Sequence, residues 1–221
     1  MFSRWLALIT NFMKSKNLFT KNYFFALSLV ILSLGLIAFS DNFITDVGQE
    51  SNSDPKFIIH GLIVYSFIGV LIIQTNRIRK LNTKAHIAFG ITGFIIGLLM
   101  IISTAYVYFS VGTPWSETPF FGKANRIFLG TFAIMLLTAY IKRDKPILHK
   151  HLVFVGMLLL MEPILSRVAG NTGNDPTTLV PIIWIIMWIS LFIYDFMSQR
   201  KIYPVTYLGL IYWFVVYAVV S

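Results

Sequence analysis

The sequence predicts an all-α fold, a polytopic bundle of seven transmembrane helices with the N-terminus inside and the C-terminus outside. Three observations carry this expectation. Of 221 residues, 57% are hydrophobic and 12% charged, far from the average of soluble chains. The apolar residues gather in runs that approach or exceed the roughly 20 residues a helix needs to cross a bilayer. The basic residues sort onto alternate loops. Arg4, Lys14, Lys16, Lys21, Arg77, Arg79, Lys80 and Lys84 fall on one side, with Lys142, Arg143, Lys145, Lys150, Arg200 and Lys201. The other side keeps Lys56, Lys123, Arg126 and Arg167, and most of the acids: Asp41, Asp46, Glu50, Asp54, Glu117 and Asp175. Fourteen basic residues against four assign the first side to the cytoplasm.

Each element has its own signal. Residues 1–22 mix basic residues with Trp5, Leu6, Leu8, Ile9, Phe12 and Phe19, which suits an amphipathic helix in the headgroup region or a basic leader. No small-residue cleavage site follows an apolar core there, so no removed signal peptide is expected. Residues 23–221 form the membrane domain. Its first span covers 23–40 and precedes an acidic, polar loop. The second, 57–75, carries His60 near its start and Gln74 near its end; the third, 86–109, opens on His86 and ends in an aromatic, proline-containing loop. A short fourth span, 126–141, leads to a fifth at 151–168 containing Glu162, Pro163 and Arg167. The sixth, 179–197, ends beside Asp195, and the seventh covers 205–220. Trp115, Tyr106, Tyr108 and Trp213 are expected as interface anchors.

The net charge of +9 borders the helices, where it acts as topology signal and lipid anchor, so nucleic acid is not an expected partner. With no cysteine, disulfides, thiolate metal sites and redox thiols are excluded. No Walker loop, nucleophile elbow or HExxH motif occurs, so hydrolase and ATPase readings are poor and a non-enzyme is favoured.

One pattern repeats. A basic loop ends at His86 and a second at His149, and in both a glycine follows seven residues later, at Gly93 and Gly156. Two helical hairpins running in the same direction thus bring a histidine to the same membrane surface. At about 100° per residue, His86, Gly90, Gly93, Gly97 and Thr104 form one stripe, which turns His86 toward protein. His60 and Gln74 share a face, and Asp195 aligns with Trp184 and Trp188. On a continuous fifth helix His149 projects near Arg167 and His151 near Glu162, although Pro163 bends that helix. Two polar clusters are expected: an inner one of Gln74, His86, His149 or His151, and Asp195, and an outer one of His60, Glu162 and Arg167. A mid-span carboxylate is costly unless paired or protonated, so Glu162 is expected to pair with Arg167, to bond the backbone by Pro163, or to serve a proton or ion step.

The stretches HGLIVYSFIGVLIIQ (His60, Gln74), KAHIAFG (His86), KRDKPILHKH (Pro146, His149) and FIYDFMSQRKIYPVTY (Tyr194, Asp195, Pro204, Thr206) occur in a set order, with Arg167 between the last two. Over residues 24–210 this order resembles an uncharacterised family of small bacterial polytopic membrane proteins. The resemblance implies the architecture and a bacterial inner-membrane location. It singles out His60, Gln74, His86, His149, Arg167 and Asp195, while Glu162 and His151 depart from its pattern. The layout is more loosely similar to b-type di-haem membrane cytochromes.

Function is therefore expected at the inner cluster. His86 and His149 could hold one haem b, with Arg77, Lys84 or Lys150 at the propionates and Gln74 and Asp195 as orienting groups or ligands. Alternatively His86, His149 and Asp195 hold a transition metal ion, or imidazole and carboxylate form a structural lock between helices. The roles would be electron transfer or cofactor assembly. Two other readings stand beside these: an accessory subunit or scaffold bound to other membrane subunits, and a small proton-coupled transporter working through Glu162.

Overall fold

The computed structural model describes residues 2–45, 48 and 50–221; of residues 2–17, 43 and 50 it describes the backbone alone. The polar face expected over residues 1–17 and the acids Asp46 and Glu50 thus lie outside the described side chains. Among the described residues the chain is helical, with no strand. Helix α1 covers Phe2–Ala38, so the basic segment and the first span are one helix. A short α2, Ser40–Phe43, follows, then α3 (Pro55–Arg79), α4 (Thr83–Val111) and α5 (Phe120–Ile141). Next come α6 (Pro146–Leu159), α7 (Glu162–Asn171), α8 (Pro176–Gln199) and α9 (Pro204–Val220).

Prolines and acids punctuate these helices. Pro55, Pro146, Pro163, Pro176 and Pro204 occupy the first or second helical position, where a missing N–H costs nothing and the fixed φ suits the helix. Asp54 caps α3 by accepting from the Lys56 amide at 2.9 Å. The Lys56 side chain and amide together hold the Asp54 carboxyl below its usual range. Asp175 caps α8 in the same way, and hydrogen bonds from the Thr177 and Thr178 side chains lower its pKa.

Five helical stretches are long and apolar enough to cross a membrane: Leu18–Ala38, α3, α4, α5 and α8. The expected fifth span is not one straight helix. Leu160 and Met161 break it, and α6 and α7 meet at 46°, a sixth crossing if the bent pair acts as one. Pro163 is the cause, since it removes a backbone donor and crowds the preceding turn. That break also separates the faces of α6 and α7, so the alignments of His149 with Arg167 and His151 with Glu162 do not form. Helix α9 has 17 residues, about 26 Å at 1.5 Å each, somewhat short of a hydrocarbon core of about 30 Å.

Helix α1 lies against α3, α7 and α8, while α9 packs on α5, α6 and α8. Phe128, Phe132, Leu158, Leu159, Leu165, Trp184 and Trp188 fill the interior between them. Outward faces are apolar as well, with Ile87, Ile91, Ile95, Ile102, Ile134 and Ile186 exposed, as lipid contact requires. Trp213 corrects an expectation. It is buried at 4.9 Å from the Trp184 ring, a core residue rather than an interface anchor.

Glycines set the closest approaches. A Cβ on Gly93 of α4 would meet Val70 of α3 at 2.8 Å, and one on Gly156 of α6 would meet Phe132 of α5 at 2.8 Å. In each hairpin the glycine seven residues past the histidine therefore receives a side chain of the preceding helix. Gly156→Ala should cost about 1–3 kcal/mol through overpacking against buried Phe132. Gly130→Ala on the same hairpin meets nothing within 4 Å and should be neutral or stabilising by up to about 1 kcal/mol. Thermal unfolding of the two variants in detergent checks the opposite signs.

Candidate functional site

The first histidine is placed by a tight hairpin. Leu81 adopts φ 59° between α3 and α4, and Asn82 caps α4 by accepting from the Ala85 amide at 3.1 Å. Two α3 side chains then grip the first turn of α4. Gln74 Nε2 donates to the His86 carbonyl at 3.1 Å, and Arg77 donates to the Ala85 carbonyl at 2.8 Å while stacking on Phe89. Gly90 and Gly93 leave the groove in which the Gln74 amide lies, 4.0 Å from where their Cβ atoms would be.

The second histidine is placed by a helix end. The last carbonyls of α5 have no donor of their own helix, and His149 Nδ1 donates to one of them, Ala139, at 2.9 Å. With the hydrogen on Nδ1, Nε2 keeps its lone pair, the arrangement in which a backbone carbonyl orients a ligating imidazole. The His86 and His149 rings stand 6.2 Å apart at 83°. His86 Nδ1 and Gln74 Oε1 are both buried with no hydrogen-bond partner.

These residues line one cavity of about 1060 Å³ among α1, α3, α4, α6 and α8. Phe24, Phe25, Leu71, Val153 and Phe154 make its walls apolar. Its charged residues are Lys21, Arg79 and Lys150, and no carboxylate lines it among the described residues. The partners of two of these cations are neutral. Lys150 donates to Tyr194 Oη at 2.6 Å, while Arg79 donates to Asn76 and Asn22 and stacks on Phe25. Arg77 and exposed Lys84, expected at an anion, do not line it.

Asp195 does not join the histidine pair. It is fully buried, and His151 Nε2 lies 2.6 Å from its Oδ1. Its Oδ2 accepts from the Tyr203 amide at 2.9 Å and from Thr206 Oγ1 at 2.7 Å, which caps α9 from a neighbouring helix. His151 Nδ1 faces the Ile147 carbonyl at 2.6 Å, so both ring nitrogens meet acceptors. Imidazole and carboxyl thereby use one another's hydrogen-bonding capacity, which suits complete burial. Positions 149 and 151 lie about 200° apart on a helix, so one histidine faces the cavity and the other Asp195. Among the described residues, no three His, Asp or Glu side chains converge as a metal-binding group.

The expected outer cluster divides into three. His60 Nδ1 lies 3.1 Å from Ser103 Oγ. Arg167 reaches Asn42 at 3.3 Å and Asp41 at 3.9 Å and lies over the Phe39 ring. Glu162 accepts from Asn125 Nδ2 and Ser166 Oγ and forms no ion pair with Arg167.

No protein-family model, curated protein or solved structure matches the chain. Its chemistry therefore rests on its own residues: Asn125 is an addition that the sequence left unassigned, whereas Lys150 was expected at an anion and His151 stood as an alternative to His149. The spacing of His149 and His151 was the one usable signal.

Removing either member of a buried pair strands the other, so His151→Ala and Asp195→Ala should each cost about 3–5 kcal/mol. Their double variant should cost far less than the sum. His86→Ala, which strands no charge, should cost much less than either, and unfolding in detergent distinguishes the cases.

Proposed function

We propose that the chain is a seven-span protein of the bacterial inner membrane that holds one haem b in the inner cavity, where His86 and His149 would be the residues that bind it. The observation that carries this reading is the pair of imidazoles 6.2 Å apart on the wall of an apolar cavity whose charged lining residues, among those described, are all cations. Two imidazoles on one iron, each about 2 Å from the metal, have ring centres roughly 6 Å apart. A bare metal ion usually needs three or four protein ligands, and Asp195 is already taken by His151. A haem supplies the remaining positions itself and needs only two.

The other surfaces favour the same group. Phe24, Phe25, Leu71 and Phe154 suit the faces of a macrocycle, and Lys21, Arg79 and Lys150 suit its propionates. When bound, haem supplies one-electron chemistry. The chain's own part is to hold His149 in one tautomer through Ala139, to fix the turn carrying His86 through Gln74, and to exclude water with the aromatic wall.

Purified protein, as isolated or titrated with haemin, should show a Soret band at one haem per chain. His86→Ala and His149→Ala should each abolish or shift it. A preparation that takes up no haem overturns the proposal. The proposed orientation has its own test, since the chain lacks cysteine. Lys142→Cys and Asn174→Cys should react with an impermeant maleimide from opposite faces of sealed vesicles, and labelling from the same face overturns it.

A further inference from the structure

We infer that the break between α6 and α7 is a site for a single monovalent cation, an alkali-metal ion or a proton, held by the Glu162 carboxylate and the Asn125 side-chain oxygen. Glu162 is 6% exposed and Asn125 5%. The hydrogen-bond partners of Glu162 are Asn125 Nδ2 and Ser166 Oγ, both neutral. Neither nearby arginine balances it: Arg167 is turned to Asp41, Asn42 and Phe39, and Arg126 donates to the Thr113 carbonyl at 2.9 Å. A buried carboxylate without a counter-charge is strongly disfavoured in a membrane interior.

A second deficit lies on the same side chains. Asn125 Oδ1 is buried with no partner, although the amide nitrogen beside it bonds Glu162. The backbone adds a third, because the Leu159 carbonyl loses its helical donor where Pro163 has no N–H. One cation between the two side-chain oxygens corrects the first two deficits at once. A single carboxylate suits a single positive charge, whereas calcium asks for six to eight oxygens. Breaks in membrane helices furnish such sites because their unwound carbonyls add ligands.

A cavity of about 430 Å³ is lined by Tyr108, Gly112, Thr113 and Arg126, and Tyr108 is close enough to Glu162 to interact with its charge. Tyr217 of α9 interacts with that charge too. No hydrogen bond or ion pair to Glu162 comes from α1 or α8 among the described residues. The site is separate from the inner cavity, and its failure would leave the haem reading untouched.

Thermal unfolding of the whole chain in detergent tests the inference, with sodium exchanged for choline at constant ionic strength and over a range of pH. If the occupant is an alkali-metal ion, sodium raises the midpoint of the wild type by several degrees and leaves Glu162→Gln unchanged. If it is a proton, sodium has no effect, and the pH dependence of the wild type differs from that of Glu162→Gln by one titrating group. Identical responses of wild type and Glu162→Gln to both variables overturn the inference. Should Glu162→Gln fail to fold, Asn125→Ala carries the same comparison. It keeps the carboxylate and loses the second oxygen, so its response should be weakened, and an unaltered response overturns the site.

Discussion

The contact between His151 and Asp195 decides where the polar groups at the inner end of the bundle point. Asp195 has two oxygens, and His151, Tyr203 and Thr206 use both. One unit thereby joins α6, α8 and the start of α9 within the protein interior. Because His149 lies about 200° from His151, locking the second sends the first toward α4 and the cavity. The pairing of His149 with His86 is thus a consequence of a lock that neither residue belongs to.

Close packing of the hairpins depends on small residues. Lipid provides no hydrophobic drive between helices, so α3 meets α4 and α5 meets α6 through side chains set into glycine gaps. Val70 lies at Gly93, Phe132 at Gly156, and Val155 and Trp188 at Gly209. Backbone groups freed at helix ends are met from other helices, as a medium without water demands. His149 satisfies Ala139 at the end of α5, and Trp184 Nε1 donates to Leu158 at 2.6 Å just before the break in α6–α7.

Two other polar regions are unbalanced in opposite senses. The inner cavity presents lysines, an arginine and two imidazoles with no acid, while the helix break presents one carboxylate with no basic partner among the described residues. A group with anionic arms suits the first and a single cation the second. Each imbalance is a local departure from the rule that buried charge is paired, and such departures mark places where something else binds.

Residue types and their order were enough to determine an all-α membrane protein, the approximate extent of its apolar helices, and the buried face that Asp195 shares with Trp184 and Trp188. These features rest on composition and on the 3.6-residue period, which are local properties of the chain. Partner choice is not local. HKH offers two imidazoles and a period that separates them, but only the packing of α8 and α9 on α6 decides which one meets Asp195. Glu162 and Arg167 are close in sequence but, five residues apart on α7, project about 140° from each other, so Arg167 reaches the α1–α2 end while Glu162 meets Asn125 of α5. The tertiary structure decided these pairings, since a hydrogen bond needs a few ångströms of proximity that helix order alone does not specify.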